Sequence, residues 1–197
     1  MDESEVKAWR RATRAALIER RMATPPKTRR EWGAAIEPRL EALVRASGAR
    51  TIGIYWPFKA EFDPRPLATR LLGEGFRIAL PVVIEKKRPM IFRLWSPETP
   101  MTSGIWDIPV PAGSEEVVPE LLMAPVVGFD AARYRLGYGG GYFDRTLGSL
   151  SPRPVAIGVG FELGRLETIF PQPFDVPMNH VVTEAGVDAP PPDAARR

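Results

Sequence analysis

The apolar residues of this chain come in short unbroken runs, most clearly over 121–127 and 154–160, set between stretches with helical spacing. A strand with one wet face alternates apolar and polar residues. A strand that is apolar at every position is covered on both faces. Such strands interleaved with helices predict a single-domain, three-layer α/β/α sandwich around a mainly parallel sheet. The spacing predicts further strands over 51–56, 77–83 and 90–95, and helices over 3–22, 27–46 and 64–72 with another beginning at 142. Pro38 is expected to kink or break the second helix. The Pro- and Gly-rich stretch 96–119 reads as a long functional loop. Residues 1–187 read as one domain, without internal repeats, and 188–197, with three consecutive prolines, as a disordered tail.

Composition narrows the chemistry. The chain of 197 residues has no cysteine and one histidine, so thiolate chemistry and a His-rich metal site are excluded. Carboxylates, Lys, Arg, Tyr and main-chain amides must do the work. His180 precedes an apolar strand and is read as a packing residue. No apolar run approaches the roughly 20 residues of a membrane span, and the N-terminus lacks the pattern of a secretion signal. A soluble, cytoplasmic protein without a membrane partner is expected.

Charge is uneven. Residues 1–30 carry nine Lys or Arg against four acids, while the whole chain is only +3. On the first helix the spacing puts Val6, Trp9, Thr13, Ala16 and Leu17 on a buried stripe, and Lys7, Arg11 and Arg14 on a neighbouring face. Such a face suits a local polyphosphate site; a solvated helix face and a nucleic-acid surface are the alternatives.

The most distinctive segment, Gly137-Tyr-Gly-Gly-Gly-Tyr-Phe-Asp144, lies between a buried strand and a helix start. Glycines let the main chain approach a ligand and aim successive N–H groups at it, and a helix N-terminus favours anions. It is neither a Walker loop nor a dinucleotide fingerprint. A purely structural turn explains the spacing equally well. Valine at Gly140 is expected to meet both a positive φ and lost space. Gly158-Val-Gly160 with Gly164 forms a second glycine group, to which no cofactor is assigned.

Taken from Arg135 to Arg145 and with Pro125-Val-Val-Gly-Phe-Asp130 before it, the segment resembles the signature of the 5-formyltetrahydrofolate cyclo-ligase family. Lys7 and Arg11 resemble the family's N-terminal Lys-x-x-x-Arg. Glu61 resembles its pterin-binding glutamate, and Gly104-Ile-Trp-Asp-Ile-Pro-Val-Pro111 resembles its loop with a substrate-stacking tryptophan. The segment 175–184 resembles its closing Asp segment. The similarity spans roughly residues 5–184.

The resemblance implies a fold similar to sugar-phosphate isomerases and CoA transferases, and a ligase that closes 5-formyltetrahydrofolate to 5,10-methenyltetrahydrofolate with ATP and Mg²⁺. It implies Lys7, Arg11 and Arg135 at the ATP phosphates as catalytic residues. ATP contacts extend to Gly137, Gly139, Gly140, Gly141 and Tyr142, and folate contacts to Trp56, Glu61, Trp106, Tyr138 and Tyr142. Asp144 and Asp175 are the implied metal ligands. Arg145 is read as a structural salt-bridge partner, and Trp56 and Trp106 as core residues or substrate contacts. A monomer with no nucleic-acid partner is expected.

Four positions depart from the family pattern, one of them Trp56, which stands where a smaller apolar residue can line the pterin pocket. Gly140 stands where many members have a phosphate-binding lysine, Phe143 where a second tyrosine is usual, and Gly164 where a glutamine is common. An ATP-dependent relative acting on a non-folate substrate, a nucleic-acid binder and a non-catalytic binder of folate or nucleotide remain the alternatives.

Overall fold

A computed structural model describes residues 2–189. It opens with two long helices, α1 (Glu3–Ala23) and α2 (Pro26–Ser47). Helix α1 starts where Asp2 accepts N–H bonds from Ser4 and Glu5 while the Glu5 carboxylate accepts the N–H of Asp2, a reciprocal cap that satisfies otherwise orphaned donors. Helix α2 runs through Pro38 without breaking. Ile36, Leu40 and Val44 are fully buried on either side of the proline, and this packing outweighs the lost hydrogen bond.

The chain continues through β1 (Thr51–Gly53), α3 (Arg65–Gly73), β2 (Arg77–Val82), β3 (Ile91–Leu94), β4 (Met101–Ser103), β5 (Pro109–Pro111) and β6 (Glu116–Val117). It ends with β7 (Leu121–Pro125), β8 (Gly128–Phe129), β9 (Arg135–Leu136), α4 (Tyr142–Ser149), β10 (Val155–Val159), β11 (His180–Val182) and β12 (Val187–Asp188). Eight strands form the main sheet in the order β12-β11-β10-β7-β1-β2-β3-β6. The five inner strands from β11 to β2 are parallel; β12, β3 and β6 join antiparallel at the edges.

Alternate residues of the strands feed two separate cores. Leu121, Met123 and Ile157 join α2 and α3 on one face, whereas Leu122, Ala124 and Ala156 join Leu147 of α4 on the other. Period-two pointing with both faces covered explains the unbroken apolar runs.

Several expectations need correction. The 51–56 strand stops at Gly53, beyond which Tyr55 and Trp56 leave the sheet. The 96–119 loop contains the β4–β5 hairpin and the edge strand β6; its prolines are tolerated because the strands are short and at edges. Asp188, expected in a disordered tail, pairs with Val181 in the sheet and with Arg165 in a salt bridge; residues 190–197 of that expected tail lie outside the described residues. On α1, Ala16 is exposed, and the buried positions are Val6, Leu17 and Arg21. The second glycine group is a packing device: a methyl on Gly164 would lie 2.7 Å from the Val127 carbonyl oxygen.

The winding places a crevice. After β1 the chain crosses through α3 to β2 on one side; after β7 it crosses through α4 to β10 on the other. In open parallel sheets, ligands bind beyond the carboxyl ends of strands at such a reversal. Helix α1 lies against the β8–β9 hairpin over this crevice, with no room to spare. A methyl on Gly128 would stand 2.8 Å from Leu17 Cδ1, 2.9 Å from Leu166 Cδ1 and 3.2 Å from the Gly164 carbonyl oxygen. Gly128→Ala is therefore expected to cost about 1–3 kcal/mol, the usual overpacking range. Hydrogen exchange should quicken in α1 more than in β7; equal protection in both would show that α1 does not depend on this approach.

Candidate active site

Beyond the carboxyl ends of β1 and β7 lies a cavity of about 730 Å³. All fourteen positions assigned to ATP, folate or metal line it, drawn from five separate stretches of chain.

One wall is the glycine turn. Gly139 and Gly141 have φ of +94° and +65°, a region in which glycine alone is unstrained, and Gly141 caps the start of α4. Among the described residues, none of the main-chain N–H groups from Gly137 to Asp144 donates to a protein acceptor. Eight consecutive free donors at a helix N-terminus make a row suited to anionic oxygens. Gly140 itself does not have positive φ. Its constraint is space alone, because an added Cβ would fall 2.7 Å from the Tyr142 ring.

Helix α1 faces this wall and supplies Lys7, Arg10, Arg11 and Arg14. Lys7 and Arg11 are exposed. Arg14 donates through Nε to the Gly137 carbonyl oxygen, and burial, then the neighbouring Arg10 charge, push its guanidinium below the usual range. Arg10 donates to the carbonyls of Ile169 and Phe170 and pairs with Asp175. The helix thus offers free cations in its first turns and ties loops together further along.

At the other end the cavity is lined by Glu61, whose side chain is 4% exposed. Its carboxylate accepts the Phe58 N–H at 2.8 Å and the Tyr138 hydroxyl at 2.8 Å. Arg21 of α1 donates to the Tyr138 oxygen at 2.5 Å and to the Lys59 carbonyl at 3.0 Å, and its Nη2 is 3.8 Å from Glu61. Burial pushes the Glu61 carboxyl up and Arg21 opposes the shift. Burial, with the Glu61 charge beside it, also raises the Tyr138 phenol. Lys59 and Ala60, between Phe58 and Glu61, both have positive φ, strain of a kind that persists where the surroundings enforce it.

The two assigned carboxylates are already engaged. Asp144 accepts from Arg135 Nη2 at 2.7 Å and from the Val176 N–H at 3.2 Å. Asp175 holds Arg10 and the Gln172 N–H. Arg135 differs from its expected posture: its side chain is 4% exposed, bound to Asp144 and stacked 5.2 Å from the Phe143 ring. Burial lowers the Arg135 guanidinium, against the opposing pull of Asp144 and Asp175. It lines the cavity beside the glycine turn with its guanidinium tied to Asp144.

Aromatic rings complete the enclosure. Trp106 is 53% exposed and so not a core residue; its φ is +55°, and its ring stands 6.4 Å from Tyr138 and 6.5 Å from Tyr142. Trp56 is half-buried, with Arg65 stacked 4.3 Å from its ring. Arg145 makes no salt bridge among the described residues and instead donates to the Gly140 carbonyl at 2.6 Å. His180 does not line the cavity; burial, then Arg133, lower its imidazole.

Sequence reasoning missed Arg10 and Arg21, and gave Arg14 only a place on a basic face. The three fall at spacings of four and seven along α1, but arginines on a stripe with Val6 and Leu17 read as its solvated border until their partners are known.

The model of the 5-formyltetrahydrofolate cyclo-ligase family matches residues 6–184. The chain is 28% identical over 178 residues to the 5-formyltetrahydrofolate cyclo-ligase of Escherichia coli strain K12, covering 87% of this chain and 98% of that one. It is 30% identical to the Mycolicibacterium smegmatis protein of the same name, covering 86% and 91%. The NMR structure of Aquifex aeolicus 5,10-methenyltetrahydrofolate synthetase superposes with a TM-score of 0.79 at 26% identity, over 91% of this chain and 92% of that one. A Mycoplasma pneumoniae 5,10-methenyltetrahydrofolate synthetase shares the fold, with a TM-score of 0.74 at 23% identity over 89% and 98%. With a match that runs through the sheet, α1 and every wall of the cavity, the chain belongs to the 5-formyltetrahydrofolate cyclo-ligase family.

Proposed function

We propose that the protein converts 5-formyltetrahydrofolate and ATP into 5,10-methenyltetrahydrofolate, ADP and phosphate. One observation carries this reading beyond family membership. The glycine turn that offers free N–H groups also contains Tyr138, whose hydroxyl binds the buried Glu61. The row of N–H groups suited to an anion and the tyrosine that orients the buried acceptor Glu61 are therefore parts of one turn, which suits a phosphoryl transfer onto a bound heterocycle.

In this reading the formyl oxygen takes the terminal phosphoryl group of ATP and ADP leaves. The N10 amine then attacks the activated formyl carbon, loses its proton, and phosphate departs as the ring closes. The protein's task is alignment and charge neutralisation rather than covalent catalysis. Lys7 and Arg11 bind the phosphates from solvent-facing positions, and the N–H groups of Gly137, Gly139, Gly140 and Gly141 with that of Tyr142 bind them from the opposite wall. Buried Arg135 fixes Asp144 beneath the turn and adds positive charge there. Glu61 accepts hydrogen bonds from the pterin, Tyr138 and Tyr142 flank it, and Trp56 and Trp106 wall it in.

Mg²⁺ fits this site in a limited way. Both carboxylates are paired with an arginine, but each Asp144 oxygen accepts one hydrogen bond and retains a lone pair, whereas Asp175 Oδ2 accepts from both Arg10 and the Gln172 N–H. Among the described residues no three metal-ligating side chains lie together. That pattern suits an ion held mainly by phosphate and water with one carboxylate, the usual habit of Mg²⁺. Asp144 is the residue we assign to it; the ion would offset negative charge on the phosphates.

The direct test is incubation with 5-formyltetrahydrofolate and Mg-ATP, following methenyl absorbance and phosphate together. Equal yields, both dependent on ATP, are expected. Phosphate without cyclisation would indicate a non-folate substrate, and neither product would indicate a binder.

Removing Lys7 or Arg11 tests the phosphate end. Each alanine variant should lose about 1.5–3 kcal/mol of ATP affinity, the range for a charged hydrogen bond, with unchanged thermal stability because both side chains are exposed. Unaltered ATP affinity in calorimetry would remove α1 from that role.

Glu61→Gln tests the other end. Folate binding should weaken by about 1–3 kcal/mol while ATP binding holds. The stability effect has the opposite sign. The Glu61 carboxyl is raised in the folded state, so its contribution is full below the unfolded pKa and is lost as pH rises through the folded value. Glutamine has no such loss. Melting temperatures taken from pH 4 upward should show the variant gaining on the wild type with rising pH; parallel curves would mean that Glu61 carries no burial cost.

A further inference from the structure

Arg21 lies outside the segments on which the family resemblance was drawn, yet it is 3% exposed and makes two hydrogen bonds at the pocket wall. It stands at the far end of α1 from Lys7 and Arg11, so phosphate binding does not account for it. The bonds themselves do. Its Nε holds the Lys59 carbonyl, inside the turn where Lys59 and Ala60 both take left-handed conformations. Its Nη2 holds the Tyr138 oxygen, which in turn directs its proton to Glu61. The same turn is closed from the other side by the Phe58 N–H on Glu61. One guanidinium thus fixes the turn before Glu61 and the partner opposite it.

We propose that Arg21 is a positioning residue for the folate end, holding the 58–61 turn and Tyr138 so that Glu61 meets the pterin with one hydrogen-bonding pattern. This rests on the folate reading given above. Each Glu61 oxygen accepts one protein hydrogen bond and keeps a lone pair for a ligand N–H. If Tyr138 or the turn swung free, those lone pairs would be redirected.

Charge adds a second effect. The titratable and charged groups facing Glu61 are Arg21 on α1, Tyr138 in the glycine turn and Tyr55 beyond β1, followed by Asp63 along its own segment. Tyr55 is a neutral donor to the Phe62 carbonyl, and Asp63 is paired with Arg65. Arg21 is the cation of this group that bears on Glu61, opposing the burial that favours the protonated acid. Without it, Glu61 should hold its proton to higher pH, and a protonated acid offers the pterin fewer acceptors.

The test pairs kinetics with a ligand-free measurement. Arg21→Gln should raise KM for 5-formyltetrahydrofolate about tenfold, as loss of an interaction worth one tenfold step implies, leaving KM for ATP within about twofold. The acid limb of kcat/KM for folate should move up by about one pH unit or more, the scale on which one removed charge contact acts. Arg21→Lys keeps the charge but not the fork, so it should restore the limb while leaving folate KM raised. In a Glu61→Gln background, Arg21→Gln should shift no limb. In ligand-free protein, carbon NMR of the Glu61 carboxyl should show a higher titration midpoint in Arg21→Gln.

A wild type that does not cyclise folate, with the NMR midpoint moving as expected, would defeat the folate reading and leave Arg21 as the residue that positions Glu61. Normal cyclisation in Arg21→Gln with folate KM and midpoint unchanged would overturn the proposal, as would an equal rise in both KM values with no limb shift. Should Arg21→Gln not fold, Arg21→Lys decides: a folate KM equal to wild type overturns the proposal, and a raised folate KM with normal ATP KM and acid limb supports it.

Discussion

The structure of the site depends on three arginines of one helix gripping three loops. Arg10 binds the 169–175 segment, Arg14 the Gly137 carbonyl, and Arg21 the Lys59 carbonyl and Tyr138. The loops leave the carboxyl ends of different strands, and the short β8–β9 and β4–β5 ladders do not join them to one another. Buried carbonyls and carboxylates need donors; α1 provides them at regular intervals along a rigid rod. Its helical pitch therefore sets the spacing of the cavity's walls.

That arrangement divides the electrostatics of a single cavity. At one end exposed cations and unpaired N–H groups face each other; at the other a buried carboxylate is held among phenols. Glycine turn and helix contribute to both ends. Tyr138 brings the turn to Glu61, and Arg21 brings the helix there. Two substrates of different chemistry can then be held in fixed relation without a domain hinge.

The sheet was legible in the sequence because strands covered on both faces are apolar at consecutive positions, as in 121–127 and 154–160. The glycine turn was legible as a turn from four glycines in five positions, but its spacing fitted a purely structural turn equally well until the family resemblance was added. Strand order was not, since nothing local distinguishes β7 beside β1 from β7 beside β3. The two-residue ladders β8–β9 and β11–β12 carry too little periodicity to register. Lys7 was picked out by helical spacing and then by the family resemblance, and Glu61 by the resemblance alone; the residues that tie the walls together, such as Arg10 and Arg21, look like ordinary helix-surface arginines until the fold supplies their carbonyl partners. Arg135, a signature residue, lines the cavity with a side chain that is buried and paired with Asp144, a pairing that the sequence did not suggest.

The anchoring of α1 also orders assembly during synthesis. Its contacts with Tyr138 and Asp175 span 117 and 165 residues of sequence, and contacts of such separation form slowly. The helix carries its own N-terminal cap and can form early; of the groups its arginines bind, the Lys59 carbonyl follows soon after, whereas Gly137, Tyr138 and the 169–175 segment come more than 110 residues later. A nascent chain can therefore pair the parallel strands β1, β2 and β7 while the crevice is still unroofed.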